Sequence, residues 1–337
     1  MSRYDDVRAS LVRDPRTWVV TGAAGFIGSH LIDQLLARDA TVLGFDNMRL
    51  GRRANLAGAL ENPRFKFVEM DANNVAEVSR LVAAESKDKP FDIAWHLAAN
   101  SDIRAGVSDP DVDLNCTFLT TYNLLKVLRE HAIPQLAFAS TSAIYGVHPG
   151  VLHESIGPLF PISNYGAMKL ASEAAISAAL ESYLKRVWIY RFPNVVGSRS
   201  THGVIYDFAQ KLKKTPNELE VLGDGSQEKP YLHVAPLIKA MLYIADNATE
   251  PLNCFNIGNA DSISTVRYIA EAVVQRQSPA AKIRYTGGNR GWVGDVPKFS
   301  YSIEKLKKLG WSPGMTSNQA IDQAVEEIVS EVLSQKA

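Results

Sequence analysis

The chain has 337 residues, 46% of them hydrophobic, and its 36 Lys and Arg residues balance 36 Asp and Glu residues. A chain of this length and composition buries a large core, which excludes a disordered protein. Because the net charge is zero and no basic stripe is evident, we expect no nucleic-acid partner and no attraction to an anionic membrane surface.

The cysteines and the N-terminal segment narrow the class of protein further. Cys116 and Cys254 are far apart in sequence and form no CxxC pair, so we expect no disulfide framework and no metal site. Residues 1–17 lack the apolar core of a signal peptide, and no later run reaches the roughly 18 apolar residues of a membrane span. These features predict a cytoplasmic protein without membrane association.

Short apolar runs alternate with longer helical patterns through the first half of the chain. Strands are predicted at residues 18–21, 41–46, 65–70, 93–96, 135–140 and 187–191. Helices with apolar residues three and four positions apart are predicted at residues 27–38, 75–84, 111–130 and 164–183. This alternation predicts an α/β protein with a Rossmann-type, doubly wound parallel sheet.

The regular alternation of strand and helix patterns ends at about Pro193, and irregular, glycine-rich segments follow. We therefore predict a smaller C-terminal substrate-binding lobe. Residues 231–258 are excluded from it, because this segment is expected to return to the first domain. The predicted divisions are an N-terminal extension at 1–17, a Rossmann domain at 18–193 with 231–258, and a lobe at 194–230 with 259–337.

A glycine-rich turn, Gly22-Ala23-Ala24-Gly25-Phe26-Ile27-Gly28, lies between the first predicted strand and the first predicted helix. Glycines in this context permit a tight turn and close approach of the backbone to a pyrophosphate, which the helix N-terminus attracts. The turn therefore predicts a dinucleotide site at Gly22, Gly25, Phe26, Ile27 and Gly28.

Two carboxylates follow the next strands. Asp46 ends the second predicted strand, where a carboxylate accepts ribose hydroxyls and repels a 2′-phosphate, so the sequence favours NAD over NADP. Asp71 ends the third strand and either contacts the adenine or caps the helix that begins near Val75.

A YxxxK motif is formed by Tyr165 and Lys169, which share one face of a helix. Use of Tyr165 as a base requires its pKa to fall by about 3 units, and the Lys169 ammonium and a positive nicotinamide ring have the right sign to lower it. Thr141 closes an apolar strand earlier in the chain and is positioned to hydrogen-bond a sugar hydroxyl.

These motifs resemble the extended short-chain dehydrogenase/reductase family, especially nucleotide-sugar 4-epimerases of the UDP-glucose 4-epimerase kind. The resemblance extends from Thr21 to about Trp311. Its markers are at residues 22–30, 46–47, 96–99, 115, 140–146, 165–169 and 191–195.

The resemblance implies a catalytic triad of Thr141, Tyr165 and Lys169, in which Tyr165 is the base and Lys169 also holds the nicotinamide ribose. Beyond the glycine turn and Asp46, it implies cofactor contacts by Asn47, Asp71, Ala72, Leu97, Ala98, Ala99, Ser140, Tyr165, Lys169 and Pro193. It implies substrate contacts by Ser101, Thr141, Asn194, Val204, Lys229, Arg290 and Asp295. It also implies a homodimer formed by the predicted helices at 111–130 and 164–183.

The expected reaction is epimerisation of a nucleotide sugar, with UDP-sugars favoured, through a transient 4-keto sugar. Related dehydratases carry an Asp-Glu pair directly after the catalytic Thr, and related decarboxylases carry a Glu near it, whereas this chain has Ser142 and Ala143. A dehydratase, a decarboxylase or a reductase is the alternative, and a non-enzymatic NAD sensor is a weaker one because the triad is intact.

Two positions depart from the family pattern. Lys229-Pro230 replaces the usual Arg-Asp, so a point charge replaces a bidentate fork toward the diphosphate. Trp292 stands where many members have an Arg, and Arg290 is expected to supply that charge. These departures affect the choice of nucleotide more than the chemistry.

Overall fold

The computed structural model describes residues 16–260, 262–288, 296 and 298–334. The predicted N-terminal extension lies almost wholly outside these residues. Arg290, Trp292 and Asp295 of the predicted substrate site also lie outside the described residues.

A seven-stranded parallel sheet forms the centre of the molecule. Its strands, β1 to β7 in chain order, are Thr17–Thr21, Thr41–Asp46, Phe65–Glu69, Ile93–His96, Gln135–Thr141, Arg186–Phe192 and Leu252–Asn256. Their spatial order is β7-β6-β5-β4-β1-β2-β3, and every neighbouring pair is parallel. The predicted doubly wound parallel sheet is confirmed.

Helices cover both faces of the sheet and continue into the second half of the chain. The longer ones, α1 to α9 in chain order, are Phe26–Leu36, Val75–Glu85, Leu119–Glu130, Asn164–Ser182, Val204–Lys214, Val234–Asn247, Val266–Gln277, Glu304–Leu309 and Ser317–Ser334. Short helical turns are Arg53–Leu56, Ala57–Leu60, Ala105–Ser108, Pro110–Asp113 and Ser142–Tyr145. None of the described helices is long and apolar enough to cross a membrane.

The helix predicted over residues 111–130 is confirmed, since every residue from Pro110 to Glu130 is helical, but it is not a regular α-helix throughout. The turn Pro110–Asp113 leads into a π-helical segment, Leu114–Phe118, before α3 begins. A π-helical turn inserts an extra residue into the helix and so rotates the side chains on its two sides relative to each other. The segment lies beside α4, which carries the YxxxK motif.

Aromatic side chains pack one face of the sheet. Trp95 lies between Trp18 and Tyr190, with ring centroids 5.5 Å and 5.8 Å away, and all three are at most 1% exposed. Residues of α1 and α6 complete this core, whereas α2, α3 and α4 cover the opposite face. The sheet is therefore buried on both sides, as parallel sheets require.

A separate apolar cluster builds the second part of the molecule. It joins α5, α7 and α9 to the parallel strand pair Glu218–Val221 and Lys282–Tyr285. The remaining short strands are Val151–Leu152, Asn194–Val196, Glu228–Lys229, Tyr231–His233, Ser264–Thr265 and Ser300–Tyr301. After the first passage through this part, the chain returns to the central sheet, where α6 packs against α1 and β7 pairs with β6.

Candidate active site

A cavity of about 800 Å³ lies at the carboxyl ends of the strands, against the second part of the molecule. Every described residue of the predicted site lines it. These are Gly22, Gly25, Phe26, Ile27, Gly28, Asp46, Asn47, Asp71, Ala72, Leu97, Ala98, Ala99, Ser101, Ser140, Thr141, Tyr165, Lys169, Pro193, Asn194, Val204 and Lys229. The fold thus brings residues from well-separated stretches of sequence to one cleft.

The glycine turn leaves no room for side chains at two positions. Gly22 has φ +69°, and a Cβ there would lie 2.8 Å from the backbone nitrogen of Ala98. A Cβ on Gly28 would lie 2.0 Å from the carbonyl oxygen of Gly22. Helix α1 begins after Gly25 with no side-chain cap and no acidic residue in its first turn. No side chain therefore occupies the N–H groups at its N-terminus, which can bind an anion. These residues fit the diphosphate of a dinucleotide.

Asp46 is held in a fixed orientation by backbone donors. One carboxylate oxygen accepts a hydrogen bond from Ala24 N (3.0 Å) and the other from Met48 N (2.8 Å). Burial raises the pKa of Asp46, and these backbone donors oppose the rise. The carboxylate therefore ties the glycine turn to the end of β2 and keeps lone pairs available for ribose hydroxyls.

Asp71 does not cap the following helix, so that interpretation is wrong. Asn74 is the N-cap of α2, and its side chain accepts from Glu77 N. Asp71 instead accepts from Asn73 N (2.8 Å) and from the Asn47 amide (3.5 Å). Asp71 lines the cavity near the end of β2, where its role toward the adenine stays a prediction.

His96 is a buried, neutral link rather than a proton carrier. Thr121 Oγ1 donates to Thr117 O (3.0 Å) and therefore accepts from His96 Nε2 (2.9 Å). Because Nε2 then carries the proton of the neutral ring, Nδ1 accepts from Thr21 Oγ1 (2.7 Å), which itself accepts from Ala98 N (3.1 Å). These partners assign the proton to Nε2. Burial lowers the pKa of His96 to about 3, so the ring stays uncharged while it joins β1, β4 and α3.

Tyr165, Lys169 and Thr141 lie together at the end of β5. The Tyr165 side chain is hydrogen-bonded to the Thr141 hydroxyl, which also accepts from Ala143 N (3.1 Å). Lys169 Nζ donates to Ala139 O (2.6 Å) and lies 5.9 Å from the centroid of the Tyr165 ring. The three predicted catalytic side chains therefore form one contiguous group.

The charges in this group differ from the expected ones. Burial raises the pKa of Tyr165 well above its ordinary value, and the hydrogen bond from Thr141 opposes that rise only partly. Burial also lowers the pKa of Lys169 to about 7, against the opposing effects of Glu173 and Asp113. The expected lowering of the Tyr165 pKa is thus absent in this structure, because desolvation outweighs the nearby charges.

Ser140 lines the cavity through its backbone, since its hydroxyl is already engaged. Ser140 Oγ donates to Glu173 Oε1 (2.5 Å) and is buried. The hydroxyl is therefore directed into the protein. The predicted contact of Ser140 with the cofactor can be made only by its main-chain atoms.

Asp113 is a buried acid that the sequence patterns missed. Its Oδ1 accepts from the amide of Asn100 (2.8 Å), which also donates to Asp102 O (2.9 Å). Burial raises the pKa of Asp113, and the hydrogen bond from Asn100 opposes this. Asn100 directly follows the cavity wall at Leu97 to Ala99. A polar residue at that position was the one feature of the sequence that indicated a buried polar partner such as Asp113.

Two arginines join the wall of the Rossmann part to the first turn of α5. Arg104 Nη2 lies 3.1 Å from Asp207 Oδ2, and Arg52 Nη2 donates to Tyr206 Oη (2.9 Å). His202 also lines the cavity here, and burial lowers its pKa. These bridges, which connect residues more than 100 positions apart, had no signal in the sequence.

No three His, Cys, Asp or Glu side chains lie close enough to hold a metal ion within the described part of the chain. His233 Nε2 is instead hydrogen-bonded to Glu327 (3.0 Å). Cys116 and Cys254 are both free thiols.

Comparison with known protein families and curated proteins gives a consistent result. The model of the NAD dependent epimerase/dehydratase family matches residues 18–258. A putative UDP-glucose 4-epimerase of Methanocaldococcus jannaschii is 28% identical over 90% of this chain and 95% of its own length. UDP-glucuronic acid decarboxylase 2 of Arabidopsis thaliana is 30% identical over 90% of this chain and 66% of its own length.

Solved structures share the fold over nearly the whole chain. A UDP-galactose 4-epimerase superposes with a TM-score of 0.80 and 35% identity, covering 94% of this chain and 99% of the other. The UDP-glucose 4-epimerase of Thermus thermophilus, solved in complex with NAD, gives a TM-score of 0.80 and 29% identity over 93% and 98% of the two chains.

Replacement of Gly28 by Ala should weaken NAD binding by at least about tenfold, because the new Cβ displaces the Gly22 carbonyl from the glycine turn. Isothermal titration calorimetry and the NAD content of the purified protein measure this. Gly58→Ala is the matched control, since a Cβ at Gly58 meets nothing within 4 Å. Equal affinities in the two variants would contradict the role given to the turn.

Acidification should reveal the neutral state of His96. Its pKa in the folded protein, about 3, is below the ordinary 6.5, so the unfolded chain binds more protons and stability falls as the pH drops below 6.5. Between pH 6.5 and 5 the loss should be roughly 2 kcal/mol. His96→Gln, which cannot take up this proton, should lose that much less in urea unfolding. Parallel pH dependence in both proteins would show that folding does not lower the pKa of His96.

Proposed function

Because the chain belongs to the NAD dependent epimerase/dehydratase family, we propose that it epimerises a nucleotide-activated sugar, with inversion at C4 of a UDP-hexose as the reaction. The observation that carries the proposal is the contiguous group of Thr141, Tyr165 and Lys169, with Ser142 and Ala143 directly after the threonine. Supporting relatives and neighbours include UDP-glucose and UDP-galactose 4-epimerases.

The cofactor is held by the carboxyl edge of the sheet. The glycine turn receives the pyrophosphate, Asp46 and Asn47 receive the adenosine ribose, and Asp71 with Ala72 borders the adenine. The wall at residues 97–99, the Ser140 backbone, Lys169 and Pro193 border the nicotinamide half. When bound, NAD supplies a hydride acceptor and donor and a positively charged ring beside Tyr165.

Tyr165 acts as base and acid in turn. Its phenolate would take the proton from the sugar hydroxyl as that carbon is oxidised, and its hydroxyl would return the proton as the ketone is reduced from the opposite face. Lys169, with a pKa of about 7, provides the adjacent positive charge that favours the phenolate. Thr141 orients the same hydroxyl, since its own hydroxyl already contacts Tyr165. No further acid or base is needed for this cycle.

The second part of the molecule holds the nucleotide. The N-terminus of α5 at Val204 presents N–H groups to the cavity, and Asn194 and Lys229 line the same region. Ser101 borders the sugar, and Arg290 and Asp295 are assigned to the diphosphate side from the family pattern alone. A uridine diphosphate is the favoured nucleotide part of the substrate because the relatives are named for UDP-sugars.

A dehydratase or decarboxylase is the second candidate, since a UDP-glucuronic acid decarboxylase is among the relatives. Elimination or decarboxylation by the family scheme uses a carboxylate next to the catalytic threonine, where this chain has Ser142 and Ala143. These side chains have no proton to exchange near neutral pH, so we rank epimerisation first. A reductase would use the same catalytic group but would consume reduced cofactor at every turnover, whereas Asp46 favours NAD and therefore a cofactor that is recycled. An NAD sensor without turnover would leave the catalytic group without a purpose.

The reaction is tested by incubation of the purified protein, without added NAD, with UDP-, CDP-, GDP- and dTDP-sugars, followed by chromatography and mass spectrometry. An isomer of unchanged mass is expected from a UDP-hexose. Loss of water or carbon dioxide, or gain of two hydrogens, would replace the proposal with a dehydratase, decarboxylase or reductase. Binding of NAD without change of any sugar would favour the sensor.

Tyr165→Phe should lower kcat by at least about a hundredfold with little change in KM, because it deletes the proton carrier and keeps the ring. Tyr122→Phe is the matched control, since Tyr122 lies on α3 and is 47% exposed. Full turnover by Tyr165→Phe would remove Tyr165 from the mechanism.

A homodimer and a cytoplasmic location complete the proposal. Leu114 and Tyr122 expose apolar surface beside α4, whose Ala174 and Ala178 are small and exposed. Such faces pack closely when two helix pairs form a bundle. Two free cysteines accord with a reducing compartment.

Tyr122→Glu should convert the dimer into a monomer in light scattering, because it places a charge in that apolar face. Leu333→Glu, on the exposed side of α9, should leave the mass unchanged. A wild-type monomer at micromolar concentration would end the dimer proposal.

A further inference from the structure

Three side chains of α4, each one helical turn apart, contact three consecutive residues of β5. Tyr165 is hydrogen-bonded to Thr141, Lys169 Nζ donates to Ala139 O (2.6 Å), and Glu173 Oε1 accepts from Ser140 Oγ (2.5 Å). Positions i, i+4 and i+8 share one face of a helix. The catalytic motif therefore has a third member, Glu173, which faces the sheet like the other two.

Glu173 has a second partner on the neighbouring strand β6. Arg191 donates to both of its carboxylate oxygens, from Nη2 to Oε2 (2.6 Å) and from Nε to Oε1 (3.1 Å). The Arg191 and Glu173 side chains are 9% and 7% exposed. A bidentate pair of this kind fixes distance and orientation together, and burial shields it from competing water. Helix α4 is thereby attached to β5 and β6 at one point.

Arg191 also reaches the segment on the other side of the catalytic group. Its Nη1 donates to Tyr145 Oη (3.0 Å) and to Glu154 O (3.1 Å), and Tyr145 Oη donates to Asn256 Oδ1 (2.8 Å). Tyr145 ends the helical turn Ser142–Tyr145, which directly follows Thr141. One buried guanidinium thus contacts both α4, which carries Tyr165 and Lys169, and the turn that directly follows Thr141.

We propose that Glu173 and Arg191 are positioning residues for the epimerisation, which set the register of α4 against β5 so that Tyr165 and Lys169 meet Thr141. Neither side chain lines the cavity, so neither touches substrate or cofactor. The proposal rests on the proposed function for its chemistry, but the contacts are independent of it. A helix rises about 1.5 Å per residue, so even a slip by one residue would separate Tyr165 from Thr141. Displacement of reacting groups by about 1 Å can cost a hundredfold in rate.

The charge on Glu173 has a second effect. Lys169 is faced by Glu173 and Tyr165 on its own helix, by Asp113 from the turn before the π-helical segment, and by His96 from β4. Glu173 and Asp113 oppose the desolvation that lowers the pKa of Lys169 to about 7. Loss of the charge at Glu173 should therefore lower that pKa further and deprive Tyr165 of its neighbouring cation at lower pH.

Two variants separate these effects. Ser140→Ala removes one hydrogen bond to Glu173 but keeps the ion pair with Arg191, and should lower kcat about tenfold at unchanged KM. Glu173→Gln keeps the size and removes the charge; it should lower kcat about a hundredfold and move the basic limb of the kcat profile to lower pH. Each is assayed with the UDP-sugar that the wild type converts.

The matched control is Glu326→Gln, the same change in an exposed ion pair with Arg276 in the second part of the molecule. Its kcat and pH profile should equal those of the wild type. If Glu173→Gln does not fold, Ser140→Ala carries the test, because the buried ion pair stays intact in it.

A second readout needs no turnover. The ultraviolet difference spectrum of the NAD-loaded protein, minus that of Tyr165→Phe, reports ionisation of Tyr165, which should require a higher pH in Glu173→Gln but not in Glu326→Gln. This shift stands even if no sugar is converted, so failure of the proposed function is recognised separately. Wild-type kcat and wild-type Tyr165 ionisation in both Ser140→Ala and Glu173→Gln would overturn the proposal. Loss of kcat only in proportion to lost folded protein would overturn it too.

Discussion

The parallel register of the central sheet determines where every reactive group lies. Thr21 on β1 pairs with His96 on β4, so these two strands end together, whereas β5 and β6 continue beyond the partner of His96, Phe138, and end together at Thr141 and Phe192. Because each strand runs in the same direction, the segments that follow them converge on one edge. The shared position of the glycine turn, of the cavity wall after β4 and of Thr141 at this edge follows from that geometry.

Polar groups buried beneath this edge make the register specific. A buried polar side chain without partners is costly, so each one here is stabilised only in the arrangement that satisfies it. His96 is satisfied by Thr21 and Thr121 on elements from both sides of β4, and Glu173 by Ser140 and Arg191. Apolar packing alone would tolerate small shifts of the helices, whereas these hydrogen bonds do not. The scaffold therefore holds the proposed catalytic group through His96, Glu173 and Arg191, which do not line the cavity.

The sequence predicts the sheet well because strands buried on both faces are continuous apolar runs that few other structures produce. The six predicted strands agree with the structure to within one residue at each end. Apolar periodicity predicts the helix over 111–130, but it averages over several turns and does not register the extra residue of the π-helical segment Leu114–Phe118. The short strands of the second part have two to four residues, too few for a periodic pattern.

The residues of the candidate site likewise fall into those that the sequence predicts and those that only the fold identifies. Tyr165, Lys169 and Thr141 are recognisable from spacing, since an i, i+4 pair after an apolar strand has a defined geometry. Glu173 and Asp113 are charged residues within helical patterns, which in sequence look like solvent-exposed positions, and only the fold shows them buried. The Tyr165 pKa illustrates the same point: spacing identifies the neighbouring cation, but burial determines the sign of the shift.

The raised pKa of Tyr165 and the lowered pKa of Lys169 are together consistent with a site that becomes reactive only when NAD is bound. With Tyr165 protonated and Lys169 about half protonated at pH 7, the pair carries less charge in a desolvated position than an ordinary lysine would. A positive ring at the nicotinamide position would lower the pKa of Tyr165 selectively. In the proposed reaction, base strength is thereby linked to cofactor occupancy, so that a proton would leave the sugar only where a hydride acceptor is present to complete the oxidation.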